Sequence, residues 1–356
     1  MTDLLVVGGG PAGLATAIRA RLAGMSVAVL DRSSPPIDKA CGEGLMPDAV
    51  ARLREIGVEP RGLPFRGIRY FDGEAMAEGV FPQSGGLGVR RTELHASLVR
   101  RAEEAGVDLR WGIKVERLPS EGRWIVGADG LRSQVRRWAG LDGGEGPVRR
   151  FGVRRHFAMS PWSEFVEVYW GPDCEAYVTP VAPDQVGVAF LWSGRKADFD
   201  DLLKSLPTLE ERVAGAPLAS RDRGTGPLHQ RVRNVTRGNV ALVGDAAGYL
   251  DAITGEGLAV AFHESAALVE ALVKGDLGRY EADWRRINRL PNFMTGLVLA
   301  LERRPGLRAR AVRALAAEPA LFSRLLGIHA RTLPPRDLGV NGALRLAWRL
   351  VQAHCL

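Results

Sequence analysis

Cysteine is scarce in this chain: Cys41, Cys174 and Cys355 are the only three in 356 residues, odd in number and far apart. That spacing excludes a disulfide framework and a cysteine-rich zinc site, and a cytoplasmic location is expected. Long apolar runs are missing too. None reaches the roughly 18 residues that a membrane-spanning helix needs, and the first residues carry no basic segment with a cleavage site. Neither a transmembrane segment nor export is expected. The net charge of +7 comes almost wholly from arginine, interleaved with Glu and Asp along the chain. A coding bias toward arginine explains that spread, so no nucleic acid partner is expected. Internal repeats and low-complexity tracts are absent as well. What remains is a globular chain, 46% hydrophobic, long enough for roughly two domains.

The densest information lies in the first 32 residues. Leu4-Leu5-Val6-Val7 predicts a buried strand, Gly8-Gly9-Gly10-Pro11-Ala12-Gly13 a G-x-G-x-x-G turn, Leu14 to Leu22 an Ala-rich helix, and Ser26 to Leu30 a second strand ending at Asp31. Gly8 permits the tight turn, Gly10 lets a pyrophosphate approach the backbone, and Gly13 lets the helix lie against the sheet. Amides at the helix N-terminus attract the anion. Asp31 stands 18 residues beyond Gly13, where an acid can accept hydrogen bonds from an adenosine ribose. The whole unit reads as a dinucleotide site, against the plainer alternative of a structural Gly-rich turn.

Farther along, Pro47 to Ile56 predicts a helix closed by Gly57, and Arg61 to Gly88 short alternating strands with Asp72-Gly73 as a hairpin turn. Helical periodicity returns with Leu94 and Leu98. Val107 to Trp111 and Ile113 to Val115 read as strands, and Trp124 to Ser133 as strand, turn and helix start. Val148 to Trp192 is β-rich and is followed by a short helix, Phe199 to Leu206. Val240 to Gly248 makes another strand and turn before a long helix from Gly257 to Val273. The remainder predicts Arg-rich helices broken at Pro291, Pro305, Pro334 and Pro335. This organisation predicts an α/β fold: a discontinuous Rossmann-type nucleotide domain (1–60, 89–145, 225–275), an inserted antiparallel β-sheet substrate domain (61–88, 146–224) and a helical C-terminal part (276–356).

Three separated motifs stand in one order: the Gly8 to Gly13 turn, Gly127-Ala128-Asp129-Gly130-Leu131-Arg132-Ser133, and Gly244-Asp245-Ala246-Ala247-Gly248. Together they resemble the signatures of FAD-dependent oxidoreductases of the para-hydroxybenzoate hydroxylase superfamily. Cys41-Gly42-Glu43-Gly44 and the run from Gly244 to Gly257 look most like its geranylgeranyl reductase branch. The resemblance implies FAD bound extended. By it, Gly8, Gly10, Pro11, Ala12 and Gly13 hold the pyrophosphate, Asp31 with Arg32 the adenosine ribose, Arg91 the cofactor, and Val115 the adenine. It further implies that Asp129 and Gly130 order the nearby loop, that Gly244 and Asp245 serve the ribityl chain, and that Gly255 and Gly257 bring amides to the flavin edge. Cys41 and Gly42 would lie beside it. Two departures stand out: Ala252 where many relatives have proline, and a short connection between Val115 and Trp124.

Catalytic candidates are few. Cys41 is either a thiol facing the flavin or a small packed residue, and Glu256 either a functional acid or a helix N-terminal acid favoured by the dipole. His95, His229 and His263 read as satisfied histidines. Tyr169, Trp170, Tyr177 and Trp192 are expected to divide between core and pocket wall. Arg303, Arg304, Arg308 and Arg310 form either a solvated basic face or a peripheral membrane contact. The expected activity is an NAD(P)H-dependent monooxygenase acting on a small-molecule substrate, the nicotinamide binding transiently as reductant. The alternatives are a geranylgeranyl reductase-like enzyme that saturates C=C bonds and a non-catalytic flavin-binding redox sensor. No metal site is expected.

Overall fold

The computed structural model describes residues 2–194 and 197–339, together with Gly342 and Arg349. Cys355 and the last part of the helical tail lie outside the described residues. The chain is built on two large sheets. The first has six strands in the order Thr236–Arg237, Val240–Leu242, Trp124–Gly127, Leu4–Val7, Val27–Asp31 and Asp108–Trp111. Every neighbour pair runs parallel except the outer one, Thr236–Arg237 with Val240–Leu242. All four residues of the central strand Leu4–Val7 are buried, as a parallel strand covered on both faces requires.

The helices are α1 (Pro11–Leu22), α2 (Pro47–Arg54), α3 (Arg91–Glu104), α4 (Gln134–Trp138), α5 (Phe199–Lys204), α6 (Pro207–Val213), α7 (Gly257–Lys274), α8 (Leu277–Glu302), α9 (Pro305–Ala317) and α10 (Pro319–His329). Helix α1 packs along α7, where Thr16 Oγ1 donates to Ser265 Oγ at 3.0 Å. Small residues allow this approach: Ala15, Ala17, Ala20 and Ala261 are all buried.

The second sheet has seven strands in the order Arg223–Thr225, Arg150–Ala158, Gln185–Ser193, Cys174–Ala182, Phe165–Trp170, Gly67–Asp72 and Ala75–Val80. It is antiparallel apart from one parallel pair, Phe165–Trp170 against Gly67–Asp72. These two strands come from separate excursions out of the first sheet, so no hairpin constrains their direction. All six residues of Phe165–Trp170 are buried. Helices cover both sides: Tyr169 packs in a cluster with Phe199 and Leu209 of α5 and α6, while Val166, Val168 and Trp170 meet Leu299 and Leu326 of α8 and α10.

Four local readings change. Ile113 to Val115 forms no strand, because the chain turns away after Trp111 through Gly112 at φ +76°. Helix α6 was not anticipated. Pro291 does not break its helix but lies inside α8. A proline there strips the carbonyl four residues earlier of its partner. That carbonyl belongs to Ile287, and Arg331 Nη2 donates to it at 2.8 Å. Nor is Arg308 part of a solvated basic face: it is buried, makes two 3.0 Å bonds to Asp72 and stacks over Trp170, fixing α9 to the sheet.

A second buried arginine joins three parts of the molecule. Arg150 on the second sheet contacts Glu175 on the neighbouring part of that sheet, Asp251 in the loop before α7 at 3.0 Å, and Glu302 at the end of α8 at 3.0 Å. Three carboxylates around one guanidinium exceed its charge. Burial, opposed by Arg150 and reinforced by Asp251 and Glu302, pushes the Glu175 carboxyl up to about 8, against an ordinary value of 4.5. The folded protein therefore holds a proton that the unfolded chain releases above about pH 4.5, so this group's contribution to stability falls as pH rises toward 8. Glu175→Gln should flatten that slope, recovering on the order of 2 kcal/mol at pH 9 relative to pH 6. Urea midpoints of both proteins at the two pH values measure this, and parallel pH dependences would refute it.

Candidate functional site

The turn after the first strand is shaped by what its glycines exclude. A Cβ on Gly8, whose φ is +111°, would stand 2.3 Å from the Ala128 carbonyl oxygen, and one on Gly13 would stand 1.9 Å from the Gly8 oxygen. Both positions need hydrogen as a side chain. Gly10 differs: only Arg91 Nη2 comes within 4.0 Å of a Cβ there, so its open side faces empty space above the N-terminus of α1. Asp31 closes the turn from below, its carboxylate accepting from the Gly9 amide at 2.7 Å and the Ser33 amide at 2.8 Å.

That empty space is one end of a cavity of about 770 Å³. Gly10, Pro11, Ala12, Lys39, Arg91, Gly130, Gly244, Asp245, Gly255 and Gly257 border the polar end, with Cys41, Gly42 and Glu43 beside them. Six chain segments far apart in sequence thus converge. The other end is apolar. Ile68, Tyr70, Val168, Trp170 and Tyr177 of the second sheet face Leu290, Phe293, Leu297, Leu301, Leu315 and Phe322 of α8 to α10 across it. The four aromatics singled out in the sequence divide accordingly: Trp170 and Tyr177 border the cavity, whereas Tyr169 and Trp192 pack in the core on the opposite face.

The polar end carries unspent hydrogen-bonding capacity. Arg91 is buried, its Nη1 has no partner, and burial works against its charge. A buried cation with an open N–H calls for an anion. Asp245 opens onto the same cavity. Burial pushes its carboxyl up while Lys39, Arg91 and Arg136 pull it back. Arg136 went unnoticed in the sequence although it builds this corner. It donates to the carbonyls of Leu131 at 3.0 Å and Ala246 at 3.2 Å and bonds Asp142 at 2.9 Å, so it clamps two of the three motifs together. Behind the turn, Glu264 accepts from the Gly244 amide at 2.7 Å, and burial raises its carboxyl to about 7.

Other sequence candidates lie elsewhere. The Asp129 carboxylate is occupied by the start of α4, accepting from Ser133 Oγ at 2.5 Å and the Gln134 amide at 2.6 Å. Arg32 is exposed, and Val115 is half-buried in coil against the α/β core; neither borders the cavity. Glu256 turns from the cavity toward His329, with Oε2 3.3 Å from Nδ1. Cys41 does border it, with burial pushing its thiol up. His95 is a satisfied core histidine, its Nε2 2.8 Å from the Gly9 oxygen, and His263 pairs with Asp48 at 2.7 Å.

A phosphate-accepting helix N-terminus, a buried unpaired arginine and an acid at a second glycine turn suit a long, charged, polyhydroxylated cofactor. Family comparison agrees. The sequence profile of the FAD binding domain family matches residues 1–122 and 120–279. The chain belongs to that family, and FAD is its cofactor. Among curated proteins it is 39% identical over 122 residues to the menaquinone reductase of Mycobacterium tuberculosis, covering 32% of this chain and 29% of that one. It is 30% identical over 138 residues to an FAD-dependent monooxygenase of Beauveria bassiana, covering 33% and 31%. The matches thus span under a third of those relatives. A flavoprotein/dehydrogenase from Cytophaga hutchinsonii has the same fold, with a TM-score of 0.81 at 18% identity over 98% of both chains.

Because the side of Gly10 is open only toward the cavity, Gly10→Val should place its methyls where a pyrophosphate belongs and leave the fold intact. The variant should purify colourless with an unchanged far-UV spectrum, whereas heat denaturation of the parent protein releases FAD. A folded, yellow Gly10→Val protein would mean that the cofactor does not use this turn.

Proposed function

We propose that this flavoprotein is a monooxygenase whose substrate joins a reactive head to a long apolar portion. The observation that carries the reading is the cavity's continuity: one space runs from the Asp245 corner into a slot walled by Trp170, Tyr177, Leu301 and Phe322. In this reading Gly8, Gly10, Pro11, Ala12 and Gly13 with Arg91 hold the pyrophosphate of FAD, and Asp31 lies toward its adenosine. Asp245 accepts from the ribityl hydroxyls, and the backbone at Gly255 and Gly257 meets the flavin edge. Bound FAD supplies the redox chemistry, taking electrons from NAD(P)H and transferring oxygen from O2. The chain supplies position and dryness. Burial keeps Tyr70 protonated, with its hydroxyl raised to about 12, so the slot grips by shape and apolar contact.

A second reading, saturation of a C=C bond, is favoured by Cys41. Its thiol is held protonated by burial at the cavity wall, within the Cys41-Gly42-Glu43-Gly44 motif. Product mass after turnover under 18O2 separates the two. The monooxygenase adds one labelled oxygen, and the reductase adds two hydrogens and no label.

The cavity's outer wall also bears on substrate supply. Phe293 and Leu297 of α8 border the cavity yet are 67% and 48% exposed, with Arg289, Arg303 and Arg304 exposed on the same helix and just beyond it. No described helix is long and apolar enough to cross a membrane. The pattern suits a surface that rests on an acidic bilayer. Sedimentation with vesicles should show binding that rises with anionic lipid and falls at least about tenfold in a Phe293→Asp, Leu297→Asp double variant. Equal partitioning of both proteins would remove the membrane from this account.

A further inference from the structure

Glu43 borders the cavity but takes no part in the cofactor cradle. Its φ is +60°, a conformation costing a residue with a side chain on the order of 1 kcal/mol. Three hydrogen bonds hold it there: its amide to Cys41 Sγ at 3.3 Å, the Val89 amide to its carbonyl at 2.8 Å, and the Arg91 amide to Oε1 at 2.7 Å. From there the carboxylate meets a histidine of the second sheet. Oε2 lies 2.5 Å from His156 Nε2, and His156 Nδ1 lies 2.7 Å from Ser220 Oγ. Glu43 and His156 are buried, while Ser220 is half-buried beside exposed Arg221. A row of hydrogen-bonded side chains therefore runs from half-buried Ser220 to Glu43, which borders the cavity.

The charges around this row keep its middle member neutral. Arg154 reaches His156 Nδ1 at 3.1 Å and Ser220 Oγ at 3.3 Å, and its Nε lies 4.0 Å from Glu43; Arg90 Nε lies 3.9 Å from Glu43. Asp38 balances Arg154 and Arg223. Burial, with Arg154 and Arg90, outweighs the attraction of Glu43 and lowers the affinity of His156 for a second proton. A neutral imidazole with one N–H and one open nitrogen passes protons, as an imidazolium locked in a salt bridge does not. Gly187 clears the space needed: a Cβ there would lie 3.2 Å from Glu43 Oε2 and 3.4 Å from His156 Cδ2.

We propose that Ser220, His156 and Glu43 form a conduit that carries protons from solvent into the redox cavity. Hydroxylation by oxygen and NAD(P)H consumes one proton as it forms water, and saturation of a C=C bond by NAD(P)H also consumes one. The inference therefore holds under either reading of the reaction. Glu43 takes the Nε2 proton of His156 and passes it to the acceptor in the cavity, ending as the carboxylate it began as. The Ser220 hydroxyl gives its proton to Nδ1 and is refilled by water. When water re-enters the cavity after turnover, it returns a proton through Glu43 to Nε2 while Nδ1 releases its proton through Ser220, which restores the first tautomer.

The test needs no substrate. Anaerobic two-electron photoreduction of the FAD-loaded protein takes up protons, and a pH indicator in weak buffer times the uptake against flavin bleaching. In the parent the two should coincide. In His156→Gln, uptake should lag on the order of tenfold or more, with FAD affinity unchanged. His156→Gly should lag likewise and recover with added imidazole in proportion to its concentration. Ser220→Ala, at the half-exposed end, should also lag, and it decides the matter alone if the His156 variants do not fold. In the apoprotein, 15N spectra should show His156 neutral from pH 7 to 8. Uptake that keeps pace with bleaching in the variants, absence of imidazole rescue, or an imidazolium throughout that range would overturn the conduit.

Discussion

The structure depends on a contact that admits no side chain: the N-terminus of α1 pressed against the end of its own preceding strand and the strand beside it. Gly8 and Gly13 are each within overlap distance of backbone oxygen for any Cβ, and the Ala128 carbonyl belongs to the neighbouring strand's exit. The close approach fixes where the amides of α1 point. Once they point into open space, a buried Arg91 without a partner on Nη1 becomes tolerable, because both wait for the same anion. The cradle is thus bound energetically to its ligand. It carries polar groups that the protein alone leaves unsatisfied.

The remainder of the molecule determines what stands opposite that cradle. The central strands of the second sheet are buried on both faces, and the two faces do different work. One packs against α5 and α6 as an ordinary core; the other forms an apolar wall with α8, α9 and α10 across the gap. Arg150 and Arg308 keep the wall in register, since each is buried and joins the sheet to the C-terminal helices through an ion pair. Such pairs contribute little net stability after desolvation, but breaking one leaves a buried charge. Their value lies in fixing one arrangement of helices around a cavity that apolar contacts alone would allow to shift.

How much of this could be read in the sequence follows from the distance over which each interaction acts. The first turn was legible because its constraints are local and glycine is the residue that meets them. The ends of the cavity were half legible: the Asp245 turn and the Gly257 helix start announce themselves, but the clamp between Leu131 and Ala246 is Arg136, one arginine among many. Pro291 misled for a similar reason. The rule that proline ends a helix presumes an orphaned carbonyl, and here Arg331 arrives from 44 residues away to satisfy Ile287. Strand faces were illegible too, because Tyr169 and Trp170 differ only in which side of the sheet they occupy. Asp129 shows the converse: its position in a recognisable motif is real, but its carboxylate serves α4.

Glu43 shows where the two kinds of information meet. It stands between two glycines, and its own φ is positive. Nothing in the sequence ties it to His156, which lies 113 residues later on the other sheet. A strained acid persists only where its surroundings over-determine it. Here those surroundings are the amide of Arg91, whose side chain faces the cofactor cradle, and an imidazole leading to the surface. One residue therefore couples the geometry of the anion site to the histidine row behind it, so a ligand that draws Arg91 toward the cavity also bears on the carboxylate that Arg91 holds.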